Sequence, residues 1–331
     1  MQNNRSAADV CRFVIVGGAG FIGSHFTDVL LADEATKAVT IYDNFSSGHD
    51  WHIAHHHKDA RFRVVNAEIA DLDCLRETLS GHQVVIHLAS NPDIAAAVHD
   101  PDIDFREGTV LSRNVLEAMR QSDCHRILYA SGSGVYGDFG TTEVIEDQPG
   151  MRPVSTYGAS KYASEHLISA YCYMFGLSAC CFRFGNVVGP RQTHGVGFDF
   201  LRKLREDPTQ LEILGDGKQS KSYIHVEDTV AAVLTAHRGA SEDFNVFNVA
   251  TGDYITVTEI ADLAVAALGL DKTQVEYVYS GGDRGWKGDV PVIRLSTDRI
   301  KALGWSCENS TKQALTRSLV ALLDDLEQEA S

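Results

Sequence analysis

Arg12-Phe13-Val14-Ile15-Val16-Gly17-Gly18-Ala19-Gly20-Phe21-Ile22-Gly23 is the stretch whose reading decides the fold. Five residues make a short apolar run, the glycines follow at once, and a helical pattern through Phe26, Val29 and Leu30 comes next. This reads as strand, glycine turn, helix. Gly17, Gly20 and Gly23 keep the spacing in which glycine allows a tight turn, close approach of a pyrophosphate to the backbone, and tight packing of helix on strand. Phe21 and Ile22 sit inside the same turn and are candidate cofactor contacts with it. An incidental glycine loop is the alternative, and the position between a strand and a helix argues against it.

A second strand, 38–42, ends at Asp43. A carboxylate there can accept hydrogen bonds from a ribose diol and would repel a 2'-phosphate, which favours NAD over NADP. An aspartate capping a helix is the alternative reading of Asp43. Asn44 lies beside it as a further cofactor candidate. Next comes a histidine-rich loop with His49, His52, His55, His56 and His57. That spacing suggests metal ligands, but no cysteine or carboxylate cluster completes a site in the sequence. The loop is read as polar cover beside the adenosine end, with no metal.

Strands follow at 61–66 and 83–88 with a helix at 71–79 between them, then a long helix at 103–121 and a strand at 126–130. Strands and helices alternating at this spacing imply right-handed crossovers and a parallel sheet with helices on both faces, a Rossmann-type doubly wound α/β fold. Glu68 and Ile69 follow one strand, and Leu88, Ala89 and Ser90 follow another. Both groups fall at carboxyl ends of strands, where ligands bind in such sheets. Beyond a helix to about 175 and a strand at 179–184 the rhythm loosens. The expectation is a dinucleotide-binding domain at 1–186 and a smaller α/β substrate domain at 187–331, with a segment near 225–256 able to cross back into the sheet.

Tyr157 and Lys161 stand four residues apart at a helix start, so both lie on one helix face. A neighbouring cation favours the phenolate, which makes tyrosine a usable acid/base near neutral pH. Two common residues at a fixed offset also arise by chance, and a solvated helix face is the alternative.

Composition sets bounds. The 331 residues carry a formal charge of -16, with 44% hydrophobic and 22% charged residues, ordinary for a globular protein. That charge argues against nucleic acid or anionic membrane as partner, since either normally needs a basic face. Seven scattered cysteines with no C-x-x-C pair fit free thiols in a reducing compartment. The N-terminal MQNNRSAADVCR lacks the apolar core of a signal peptide, and no run approaches the ~18 apolar residues of a membrane span. The expectation is a cytoplasmic protein.

Taken together, GGAGFIG at 17–23, Asp43, HLAS at 87–90, VYG at 135–137, Tyr157 with Lys161, GNVVGPR at 185–191 and GDGKQSKSYIHVED at 215–228 resemble the extended short-chain dehydrogenase/reductase family. Within it the chain is most similar to NAD-dependent nucleotide-sugar epimerases and dehydratases, UDP-glucose 4-epimerase among them. The resemblance implies that NAD takes a hydride from the sugar, that Tyr157 is the base toward the sugar hydroxyl, and that Lys161 holds the nicotinamide ribose and lowers the tyrosine pKa. It implies a homodimer built on the helices at 103–121 and 157–175. Among residues near the nucleotide sugar it points to Asn186 and Lys221, with Arg191, Arg284 and Lys287 as further cations. Lys221 stands where the family has arginine, and lysine loses bidentate phosphate geometry.

Two departures bear on the reaction. The family's catalytic Ser or Thr, three residues before the valine of VYG, is here Gly132, so Ser133 or Ser131 is the candidate replacement; a serine capping the loop is the alternative for either. The 4,6-dehydratases carry acidic residues just before that valine, where this chain has Ser133 and Gly134. Without proton carriers elimination is disfavoured, so a 4-epimerase is the leading expectation. A dehydratase or reductase of the same family, or a non-catalytic NAD-binding protein, is the alternative.

Overall fold

The computed structural model describes residues 12–329. Strands β1 (Arg12–Val16), β2 (Ala38–Asp43), β3 (Phe62–Asn66), β4 (Val84–His87), β5 (Arg126–Gly132), β6 (Ser178–Phe184) and β7 (Phe244–Val249) form one sheet. Their order is β7-β6-β5-β4-β1-β2-β3. All of β1 except Arg12 and all of β4 are buried, as expected of parallel strands covered by helices on both faces. β1 pairs in parallel with β2 and β4, β2 with β3 and β4 with β5, which brings Val16 level with Tyr42 on one side and with His87 on the other. The sheet therefore presents the ends of β1, β2 and β4 at one edge. Between β1 and β4 the strand order reverses, which is where doubly wound sheets open a ligand crevice.

Helices α1 (Phe21–Ala32), α2 (Leu72–Leu79), α3 (Leu111–Arg120) and α4 (Thr156–Phe175) connect these strands. Asp71 caps α2 by accepting from the Cys74 amide at 3.0 Å. The apolar stripe of α3 is buried as its period requires: Val115, Leu116 and Met119 join Val14, Val85, Ile127 and Ile168 in one core. The sequence led to a continuous α-helix over 103–121, and here the structure differs. Phe105–Val110 is π-helical. Ser160 supplies the reason. Its hydroxyl donates to the Asp104 carbonyl at 2.6 Å, and a Cβ at Gly108 would stand only 2.3 Å from the same oxygen. The helix widens around an inserted side chain.

Toward the C-terminus come α5 (Val196–Glu206), α6 (Val226–Gly239), α7 (Val257–Ala267) and α8 (Thr311–Glu329). A capping box starts α7, Thr256 and Glu259 each accepting from the other's backbone amide. A second core gathers Leu201, Leu211, Ile213, Ile260, Leu315 and Leu319.

By compactness the chain divides into two units that interleave in sequence. The first is 12–131, Ser160–Phe182 and Val233–Phe247; the second is Gly132–Ala159, Arg183–Ala232 and 248–329. This division differs from the simple boundary at 186/187. Residues 132–159 leave the sheet unit as soon as β5 ends, and the segment that returns to it is β7 with the end of α6. A parallel strand needs its crossover to return to the same sheet, so the sheet unit is sewn from distant pieces of chain.

Candidate active site

Beside β1 the glycines are required by space. Gly17 has φ +82°, and a Cβ on it would lie 2.7 Å from the Ala89 amide nitrogen. On Gly23 a Cβ would lie 2.6 Å from the Gly17 carbonyl oxygen. Gly20 caps α1 with no side-chain hydrogen bond over the helix end, so the first turn of α1, which holds Phe21 and Ile22, has no side-chain cap, as suits an anion at a helix N-terminus. The cradle fits a dinucleotide pyrophosphate.

Asp43 is buried at 8% exposure and holds the turn from the next strand. Its Oδ2 accepts from the Ala19 amide at 2.9 Å and its Oδ1 from the Phe45 amide at 2.8 Å. The second bond keeps Phe45 at φ +59°, a conformation that local Asx bonding supports. Burial raises the Asp43 pKa above its usual range, and the two amides oppose that. A carboxylate has about four acceptor positions, so lone pairs remain for a ribose diol. Asn44 turns its amide onto both carboxylate oxygens of Glu68, at 3.2 and 3.1 Å. Ile69 is buried, and the amides of Leu88 and Ala89 both donate to the Val16 carbonyl. Ser90 is half-buried just beyond β4.

Tyr157, Lys161 and Glu165 recur every four residues on α4, which puts them on one face. Lys161 is 4% exposed, and its Nζ donates to the Ala130 carbonyl at 2.8 Å and stands 5.2 Å from the centre of the Tyr129 ring. Desolvation brings its pKa down to about 8, while the negative charges of Glu165 and Asp104 oppose the fall. Glu165, 3% exposed, accepts from Ser131 Oγ at 2.5 Å. The sequence reading passed over Glu165 and Asp104, although the four-residue spacing of Glu165 from Lys161 was there to be read.

The donor of Ser131 is thus committed to a carboxylate, which disfavours it as the replacement for Gly132. Ser133 is half-buried at the start of a single 3₁₀ turn, Ser133–Val135, and its hydroxyl makes no hydrogen bond among the described residues. Gly132 is extended, with open space where a Cβ would go. Gly134 and Gly158 meet backbone to backbone, since a Cβ on Gly158 would lie 2.4 Å from the Gly134 carbonyl. Tyr157 is half-buried one residue into α4.

The expected phosphate cations of the second unit are differently disposed. Asn186 donates to the Ser222 carbonyl at 3.1 Å. Lys221 is paired with Asp289 at 2.5 Å, both side chains mostly buried. Arg284 lies against Asp283 at 2.9 Å and within 3.9 Å of Asp138. Arg191 has φ +65° and its amide donates to Asp325, while Lys287 is exposed. Carboxylates thus already accompany Lys221 and Arg284.

The histidine loop was set aside because no carboxylate completed a ligand set, yet folding brings one from α1: Asp28 Oδ1 meets His55 Nε2 at 2.8 Å and His56 Nε2 at 2.6 Å. Among the described residues no helix is long and apolar enough to cross a membrane.

Known proteins resemble this chain along most of its length. A putative UDP-glucose 4-epimerase of Methanocaldococcus jannaschii is 33% identical over 311 residues, 92% of this chain and 96% of that protein. The solved UDP-glucose 4-epimerase of Thermotoga maritima, with UDP-glucose, is 30% identical at a TM-score of 0.84, covering 95% of this chain and 99% of that one. A dTDP-glucose 4,6-dehydratase double mutant of Streptomyces venezuelae, with NAD bound, is 25% identical at 0.87, covering 96% and 98%. Overall likeness therefore does not separate the two reactions. The model of one family, described as NAD dependent epimerase/dehydratase, matches residues 13–250. On that match and on these relatives, the chain belongs to the NAD dependent epimerase/dehydratase family, whose cofactor is NAD.

Proposed function

We propose that this chain is an NAD-dependent nucleotide-sugar 4-epimerase that acts on a UDP-hexose or a related sugar nucleotide through a transient 4-keto sugar. The observation that carries the choice is the loop before Val135. Where dehydration needs an acid and a base, this chain has Ser133 and Gly134, and neither can carry a proton to a leaving hydroxyl.

Bound NAD would supply the hydride acceptor and, in the return step, the hydride donor. The chain's own residues do the rest. Tyr157 takes the proton of the sugar hydroxyl and gives one back. Lys161, one helical turn along, keeps an ammonium beside the reacting region and favours the phenolate. Ser133 is the hydroxyl available to orient the sugar. Gly17, Gly20, Phe21, Ile22 and Gly23 cradle the pyrophosphate, and Asp43 takes the adenosine ribose. Asn186, Lys221, Arg191, Arg284 and Lys287 are the residues proposed to meet the sugar nucleotide.

A cytoplasmic homodimer is part of the same reading. Phe105 beside α3, and Tyr173 and Met174 at the end of α4, are apolar side chains 56%, 94% and 67% exposed, which supports pairing through these helices.

Purified protein incubated with UDP-, GDP-, CDP- and dTDP-hexoses and followed by NMR tests the reading. Inversion at C4 without accumulation of NADH is expected, and loss of water would replace the epimerase by a dehydratase. Tyr157→Phe should abolish turnover and leave NAD bound. Full activity in that variant would overturn the mechanism.

A further inference from the structure

Asp28 on α1 and the adjacent pair His55-His56 in the 3₁₀ turn Ala54–His56 converge on one point, although they are 27 and 28 residues apart. We propose that these three side chains form a binding site for one divalent cation of the zinc class, and that the ion fastens the loop after β2 to α1. The site is independent of the reaction proposed above.

The donor atoms already face one another. Both imidazole Nε2 atoms address the same oxygen, Asp28 Oδ1, at 2.8 and 2.6 Å, and one atom from each of the three residues lies within 4.8 Å of the others. A tetrahedral zinc ion with bonds of about 2.0–2.1 Å holds its ligand atoms roughly 3.3 Å apart. Opening the cluster by about half an ångström would therefore admit the ion in place of the hydrogen-bonded protons. Each ring would then ligate through Nε2 as the neutral tautomer protonated at Nδ1. Side-chain exposures of 49%, 15% and 29% for His55, His56 and Asp28 leave room for that movement and for water in the remaining position.

Two imidazole nitrogens and one carboxylate oxygen suit zinc, nickel or cobalt. Magnesium and calcium prefer sets made of oxygen. The scaffold is firm on both sides. Asp28 projects from a regular helix, and the histidine turn follows buried Ile53 and His52, whose Nδ1 lies 2.7 Å from the Ala19 carbonyl. His57 points elsewhere, to Asp50 at 3.0 Å, and serves as an internal control.

The test uses chelator-stripped full-length protein titrated calorimetrically with zinc chloride and, separately, magnesium chloride. One zinc per chain should bind, and magnesium should not. Asp28→Asn and His56→Ala should weaken zinc at least about 10–100-fold, the range already seen when only an outer-shell partner is lost. His57→Ala should bind as wild type. Zinc should raise the melting midpoint of wild type and of His57→Ala alone, and melts without zinc verify that every variant is folded. Absence of saturable zinc binding, or binding undiminished in Asp28→Asn, overturns the proposal.

Discussion

Ser131 Oγ donates to Glu165 Oε1 at 2.5 Å, joining the end of β5 to the middle of α4 with both residues more than nine-tenths buried. Hydrogen bonds to a buried charge contribute about 1.5–3 kcal/mol each. Ser131→Ala should therefore lower stability by that amount, seen as a lower midpoint in urea with unchanged slope. An unchanged midpoint would show that the bond contributes nothing.

On the proposed mechanism, Lys161 is expected to set the alkaline side of the pH profile. Its folded pKa of about 8 lies below the ordinary 10.5 because burial disfavours the ammonium. kcat/KM should fall as pH rises through about 8. Glu165 on its own helix and Asp104 beside α3 are charged groups that act on this lysine; His87 at the end of β4 is itself kept neutral, its pKa pushed down to about 3 by burial and by Lys161. Glu165→Gln removes one favourable charge and should move the limb to lower pH, whereas a purely structural role would leave it in place. The sign for stability is opposite. Between pH 8 and 10.5 the unfolded chain holds more of this proton than the folded one, so this group's contribution is fully present above 10.5 and is lost as pH falls to 8. Burial raises the pKa of Tyr223, and its contribution is lost as pH rises beyond the tyrosine range.

Gly132 is extended and a Cβ on it meets nothing within 4 Å. Gly132→Ser should fold normally and restore a hydroxyl at the family's position. If Tyr157 works with less help here, kcat should rise by up to about tenfold, equivalent to ~1.4 kcal/mol of transition-state stabilisation. Ser133→Ala in the wild-type background should lower kcat with the melting midpoint unchanged. A fall in the Ser131→Ala variant alone would reverse the assignment.

Asp43→Ala removes the acceptor of two backbone amides and of the proposed ribose diol. NAD affinity should drop about 10–100-fold, the equivalent of a charge-assisted hydrogen bond, measured by titration calorimetry. Retained affinity would detach Asp43 from the cofactor.

Much of the fold was legible because periodicity and glycine spacing are local. β1 was read to the residue, and α2, α4 and β6 to within one or two. The π-helical stretch was not legible, because it depends on Ser160, a residue more than fifty positions away that inserts against Gly108. Nor was the departure of residues 132–159 from the sheet unit, since nothing local at residue 131 marks where the chain leaves it; the return of a segment within 225–256 was read from the sequence.

The sequence by itself determined the glycine turn, the carboxylate at 43 and the Tyr157–Lys161 pair, because each is a short-range pattern that one strand or helix suffices to express. Only the tertiary structure decided how these groups are charged and partnered. Ser131 is drawn to Glu165, Lys221 to Asp289, and Asp28 to two histidines of a distant loop, because buried polar groups take whatever partner folding brings within reach.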